Sequence, residues 1–171
     1  MVSIRPARRD EAHVLAEIGA STFIDTFGHL YREEDLSAFL KKNHSRAAYD
    51  DLLADEFCSV WVAEDAEGRA VAYAVAGPCT LPVPDKPENA GELSRLYLAK
   101  EAQGAGLGEE MARLALAWLE ARFGRIYLSV YAENVRAQRL YERLGFVKIH
   151  DYFYMVGEHA DPEWIMELKA G

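Results

Sequence analysis

The chain has 171 residues, 50 % hydrophobic and 27 % charged. That fits one domain spanning 1–171 with a continuous core, and it excludes disordered, collagen-like and repeat classes. A formal net charge of −9 disfavours nucleic-acid or anionic-membrane binding, which needs clustered Lys and Arg, and points weakly toward a cationic substrate. No stretch approaches the roughly 18 apolar residues of a membrane span, and the opening MVSIRPARRD has no apolar segment after it, so a cytoplasmic location is the default expectation. Cys58 and Cys79 are the two cysteines. They lack a C-x-x-C spacing and a clustered His, which supports neither a disulfide framework nor a metal site and leaves them as small buried hydrophobes.

In chain order, Val2 to Arg5 reads as a short edge strand ended by Pro6, and Asp10 begins a helix with Val14, Leu15 and Ile18 on one side. Ser21 to Gly28 and Glu33 to Lys42 read as two short helices separated by a turn, the second carrying Leu36, Phe39 and Leu40 at helical spacing. Val60–Ala63 and Ala70–Ala76 form an antiparallel hairpin around Gly68. Residues 78–91 hold four of the six prolines and predict a loop able to overhang a site. Leu93–Leu98 is the next strand. A glycine-rich turn over 104–108 then leads into a helix with Leu107, Met111, Leu114, Trp118 and Leu119 on one face, closed by Gly124. Ile126, Leu128 and Val130 alternate in a further strand. Asn134 caps a helix with Ala137, Leu140, Tyr141 and Leu144, stopped by Gly145. Phe146–Ile149, Tyr152–Val156 and Trp164–Leu168 are the last strands, with Gly157–Pro162 as a turn.

The run Gln103-Gly104-Ala105-Gly106-Leu107-Gly108 carries the clearest chemistry. Its small residues let backbone N–H groups converge, and the following helix points its positive end at them, which makes an anion cradle. No Lys-Ser/Thr follows, so it is not a Walker loop, and the spacing does not match G-x-G-x-x-G. Glu109 and Glu110 would repel a pyrophosphate unless their side chains turn away. Tight packing of helix on strand is the competing reading.

The wider segment LSRLYLAKEAQGAGLGEEM resembles the motif of the GNAT superfamily of N-acetyltransferases, whose fourth strand runs into a pyrophosphate loop of Arg or Gln, two residues, Gly, one residue, and Gly or Ala. Gln103, Gly106 and Gly108 stand at those positions. Asn134-x-x-Ala137-x-x-x-Tyr141-x-x-x-Gly145-Phe146 is similar to the family's second CoA-contacting helix, and Ile4-Arg5-Pro6-Ala7 to its first strand. Lys100 stands where many members have proline. S-T-F-I-D-T-F at 21–27 and H-x-x-F-Y-M-V-G at 150–157, followed by W-I-M, resemble the PaiA-type polyamine acetyltransferase branch. The resemblance implies an α/β GNAT fold, with a mixed, mostly antiparallel sheet of about seven strands and about four flanking helices. It also implies acetyl-CoA as co-substrate, bound by Leu96, Tyr97, Leu98, residues 103–108 (Gln103, Gly104, Ala105, Gly106, Leu107, Gly108), Asn134, Ala137 and Tyr141.

Acetyl transfer to an amine requires a base, an oxyanion donor and an acid. By resemblance, Leu98 N–H is the oxyanion donor, Tyr141 the general acid and Glu92 the base, with His150 or a water chain as alternatives to Glu92. Periodicity alone would make Tyr141 a core residue. The implied acceptor is a small-molecule primary amine, for which a polyamine such as spermidine is the first choice, held by Asp25, Asp151 and the aromatics of 23–31 and 152–154. A peptide N-terminus, an amino acid, an aminoglycoside and a non-catalytic acyl-CoA-binding role are the alternatives, and a homodimer paired through C-terminal strands is a further expectation.

Overall fold

A computed structural model describes residues 1–169. Strand β1 (Ser3–Pro6) is followed by α1 (Ala12–Phe27), α2 (Glu33–Asn43) and α3 (Arg46–Ala54); then come β2 (Ser59–Glu64), β3 (Ala70–Pro78), β4 (Ala90–Leu98), α4 (Leu107–Glu120), β5 (Arg125–Tyr131), α5 (Val135–Arg143), β6 (Phe146–Val156) and β7 (His159–Leu168). All seven strands join one sheet in the order β1-β2-β3-β4-β5-β7-β6. Only β4 and β5 run parallel; the other neighbours are antiparallel.

The seven-stranded mixed sheet matches the expected fold, while several element boundaries differ. Ser21–Gly28 does not form its own helix: α1 continues through it to Phe27, because Thr22 and Thr26 return their hydroxyls to the carbonyls of Ile18 and Thr22 at 2.7 and 2.9 Å and do not compete with the helix. Helix α3 has no counterpart among the elements expected from the sequence. Its nine residues carry the weak pattern RAAYDDLLA, but Ser45 caps it by accepting from Ala48 N–H at 3.2 Å and Tyr49 is completely buried. Strand β4 begins at Ala90, inside the segment read as loop. Strand β6 is continuous over 146–156, with a register shift between Lys148 and His150 that hides its alternation. Strand β7 starts at His159, so the turn shrinks to Gly157–Glu158.

One sheet face carries α4 and α5 over a core that includes Met111, Ala115, Leu119, Leu128, Tyr141, Phe146 and Met166. The N-terminal half of the opposite face carries α1 and α3 over Leu15, Tyr49, Tyr73 and Val75. Its C-terminal half is covered by the proline-rich loop, whose Leu81 and Val83 pack on Tyr127 and Ile165. The loop is thus a lid on the core. Inside the α1 side, Tyr49 donates to Tyr73 OH at 3.0 Å and lies 2.9 Å from His44 Nδ1; burial holds His44 down at about 4 and therefore neutral.

Gly19 on α1 is where these groups meet the helix. A Cβ there would stand 2.2 Å from Tyr49 OH and 2.7 Å from His44 Nδ1, so Gly19→Ala forces the buried tyrosine aside. We expect it to cost about 1–3 kcal/mol, as overpacking does, measured as a lowered midpoint in urea; an unchanged midpoint would show that the tyrosine yields freely.

Candidate active site

The site originates in a strand pair that closes only part-way. Parallel pairing of β4 with β5 covers three residue pairs, Ala90 with Arg125 to Glu92 with Tyr127. Past Glu92 the two strands diverge. At the same place β4 bulges, since Ala76 faces Leu93 and Val75 faces Arg95, leaving Ser94 outside the register. The opening becomes a cleft of about 860 Å³, bordered by Leu93–Leu98 on one wall and by Ser129, Val130 and Tyr131 on the other, a volume within the usual range for small-ligand sites.

Backbone groups of β4 line this cleft because their second partner strand is gone. Ala99 N–H bonds to Val71 O on β3 at 2.8 Å. Alternation then turns the N–H and C=O of Leu98 and Leu96 toward the opening. The carbonyl of Leu98 confirms that direction by accepting from Gln103 Nε2 at 3.2 Å.

The glycine turn stands at one mouth. Gly104 and Gly106 have φ of +91° and +83°, a left-handed conformation that side chains disfavour. Gly106 caps α4, and Glu110 N–H is the first that its carbonyl takes up, at 3.1 Å. The N–H groups ahead of it in the helix's first turn are therefore free for an anion. A Cβ on Gly106 would meet nothing within 4 Å, so the hollow beside it is real space. Leu107 is buried in the core, whereas Gly108 lies between the side chains of Leu98 and Leu140. Ala105 is exposed at the tip. Glu109 borders the cleft but is paired there: it accepts from Arg113 at 2.8 Å and lies 3.7 Å from Arg143.

Helix α5 forms the facing wall. Asn134 caps it by accepting from Ala137 N–H at 3.2 Å, and its short, strongly amphipathic sequence presents Arg136, Arg139 and Arg143 to the cleft. Arg136 donates to Gln103 Oε1 at 3.0 Å, tying helix to turn. These three arginines went unnoticed in the sequence, where their spacing of three and four residues was the available signal. Together with the free N–H groups they fit a polyphosphate.

Tyr141 also borders the cleft and is 8 % exposed. Its ring packs edge-on against Phe146 with centroids 6.0 Å apart. Burial, with a smaller contribution from Tyr97, pushes its hydroxyl well above the ordinary phenol range, so it stays protonated. It is at once a core residue and a cleft residue.

The remaining candidates separate. Glu92 is buried, and its Oε1 accepts from Thr80 N–H at 2.9 Å and Oγ1 at 3.2 Å; burial raises its pKa, and it is not among the residues that line the cleft. Asp151 is exposed, pairs with Lys148 at 2.9 Å, and sits opposite Trp164, whose side chain packs on the α4–α5 face. It cannot hold an acceptor on the other face. His150 is exposed as well and does not border the cleft. Asp25 does border it, beside Lys100 at 3.9 Å. Of the aromatics, Phe27 lines the cleft and meets Tyr131 edge-on, Phe23 is buried against Phe39, and Phe153 points to solvent. The carboxylate that the C-terminal hairpin does deliver is Glu163.

Residues 24–146 match the acetyltransferase (GNAT) family. The chain belongs to that family. It is an N-acetyltransferase, and the family uses acetyl-CoA. A relative named an uncharacterised N-acetyltransferase of Mycobacterium tuberculosis is 29 % identical over 160 residues, covering 91 % of this chain and 96 % of the relative. The spermine/spermidine N(1)-acetyltransferase of Bacillus subtilis is 36 % identical over 84 residues, 47 % of this chain and 54 % of that protein. The structure of the PaiA N-acetyltransferase of Thermoplasma acidophilum, solved in complex with coenzyme A, superposes with a TM-score of 0.78 at 18 % identity, covering 99 % of both chains.

Gly106→Val tests the cradle of this GNAT domain. It would fill the hollow and force a β-branched residue to positive φ, for a local cost of roughly 1–2 kcal/mol. We expect the variant to remain folded but lose the rise in melting temperature that acetyl-CoA gives the parent by mass action. An undiminished rise would reduce the turn to packing.

Proposed function

We propose that the protein acetylates a primary amine of a polyamine, acting as one catalytic unit in the cytoplasm. The observation that carries this reading is the continuity of the cleft, which runs from the glycine turn and the α5 arginines at one end to Asp25, Phe27, Tyr131 and Glu163 at the other. Phosphates are held at the first end. A cationic amine enters at the second, where carboxylates and aromatic faces attract an alkylammonium. The partial likeness to the Bacillus subtilis spermine/spermidine enzyme supports the same acceptor class. Exposed Val147, Ile149, Phe153 and Met155 on β6, the last strand of the sheet, support pairing of two copies through this strand.

The roles follow from position. Leu98 N–H, aimed into the opening, stabilises the charge that develops on the thioester oxygen. Tyr141, protonated at every physiological pH, donates to the departing sulfur. Acetyl-CoA supplies the activated acyl group. Gln103 holds the end of β4 to α5 through Leu98 O and Arg136, keeping the Leu98 N–H on its line.

One observation favours a second acceptor. Arg95 lines the cleft with no carboxylate partner among the described residues; it donates instead to Tyr49 OH at 2.8 Å and Asn43 O at 3.2 Å. An unpaired guanidinium suits an acceptor that bears a carboxylate, such as an amino acid or peptide.

Tyr141→Phe keeps the ring and should lower turnover roughly 10²-fold with acetyl-CoA affinity unchanged, the usual effect of losing one proton donor; full turnover would remove the phenol from the mechanism. The acceptor is decided by comparing spermidine with amino acids at rising salt. A polycation held in part by the exposed carboxylate of Asp25 should show a KM that climbs with ionic strength, since such attraction is screened over about 8 Å at physiological salt. Better turnover of amino acids, with no salt effect on spermidine, would transfer the assignment to the carboxylate-bearing class.

A further inference from the structure

Among the described residues, Glu163 is the one cleft carboxylate without an ion-pair partner. It lies on β7 opposite Tyr131 of β5 and Tyr152 of β6, and it borders the opening where β4 and β5 part. Its Oε1 takes a long contact of 3.5 Å from Ser129 Oγ. The other oxygen, Oε2, is out of solvent and has no hydrogen-bond partner. No Lys, Arg or His forms an ion pair with Glu163 among the described residues, whereas the other acidic groups near it are committed. Asp161 is bound by Tyr31 and lies 2.7 Å from His159; Glu92 is held by Thr80.

A buried carboxylate oxygen without a partner is costly, and the protein bears that cost where it borders a ligand cleft. A protonated amine placed beside Oε2 would supply the missing donor. It would also stand in the same opening that Leu98 and Tyr141 border. The stem is held firmly by strand pairing on both sides, so the carboxylate is presented by a rigid element.

We propose that Glu163, and not Glu92, is the base that receives the proton of the acceptor's ammonium group. This rests on the reading that the cleft acetylates an amine. The ammonium gives one proton to Glu163, and the freed lone pair forms the N–C bond to the acetyl carbonyl carbon. The C–S bond then breaks, its electron pair leaving on sulfur. Tyr141 protonates that sulfur, and the second proton shed by nitrogen returns to the phenolate. One proton per turnover stays on Glu163 and passes to water when the product leaves.

The electrostatic setting suits this task. Burial, then the charge of Asp161, pushes Glu163 up to about 8, with Ser129 opposing, close to the value at which a base works best near neutrality. The charged and titratable groups around it are Asp161 on β7, Tyr152 and Tyr154 on β6, Tyr131 on β5, Tyr97 on β4 and Tyr31 after α1, while Arg95 of β4 borders the same cleft. The tyrosines near it are all held above the ordinary phenol range, chiefly by burial and, for Tyr131, by its bond to Glu133, so none titrates in the working range. As a base Glu163 is active when ionised; activity should therefore rise with pH through about 8 and fall away below it.

The test compares the full chain with Glu163→Gln, using acetyl-CoA and spermidine or the best amine found. We expect kcat to fall about 10²-fold, the acetyl-CoA-induced rise in melting temperature to persist, and the inflection near pH 8 to vanish from the rate profile. A second readout is independent of turnover. The folded pKa lies above the unfolded carboxylate value of about 4.3, so the parent should lose stability relative to Glu163→Gln as pH rises from about 4.5 to 8. Equal turnover with the same inflection would overturn the assignment and leave acetyl transfer standing. A parent that binds acetyl-CoA yet acetylates no amine would overturn both. Should Glu163→Gln fail to fold, the parent's profile decides: an inflection near pH 8 supports the base, and a flat profile from 7 to 9 excludes it.

Discussion

Everything at this site depends on the early end of one strand pairing. Three residue pairs join β4 to β5, after which each strand has lost a partner on that side. Backbone groups without partners must be satisfied by something, and water or a ligand is the available choice. Continued pairing would have consumed the N–H groups of Leu96 and Leu98, closed the cleft and left the glycine turn facing a finished sheet. The bulge at Ser94 acts in the same direction by bending β4 away. The divergence is stable because the two strands remain anchored on their outer sides, β4 to β3 and β5 to β7.

The cleft therefore passes through the sheet and joins an arginine-rich end to one that carries Asp25, Glu163 and a ring of tyrosines beside Arg95. On the α4–α5 face, helix N-termini and Arg136, Arg139 and Arg143 favour phosphate. On the other, Glu163 stands among tyrosines, where we propose that the amine is held. A substrate pair of unlike charge can approach from the two faces without competing for the same groups, and only the reacting atoms need meet in the gap. Glu109, which borders the phosphate end, is neutralised locally by Arg113 at 2.8 Å and Arg143 at 3.7 Å.

Rigidity is distributed accordingly. The wall made by β4 is backed by the buried tyrosine pair Tyr49 and Tyr73 and by α1, which passes so close that only Gly19 fits. Arg95 is tied into that same cluster through Tyr49, so the acceptor end inherits the stiffness of the core. The proline-rich loop contributes from behind, fixing Glu92 through Thr80 and covering Tyr127 and Ile165. Fixed dipoles and charges of this kind need little reorganisation when a substrate binds.

How much could be read from the residues alone follows the range over which each signal acts. The glycine turn, the cap at Asn134 and the tyrosine one helical turn past Ala137 are local patterns, each set by residues within a few positions. They were legible together with the strands and helices that carry them. Helix α3 was not, because its stability comes from burying Tyr49 against distant strands and not from its own periodicity. Asp151 and Glu163 show the limit most clearly. Both are acidic residues in the last hairpin, and the sequence singled out the former. Which sheet face each side chain occupies depends on the register between β6 and β7, and that register shifts between Lys148 and His150. In a strand every one-residue slip exchanges the two faces, so the identity of the cleft carboxylate was decided only when the hairpin paired with β5.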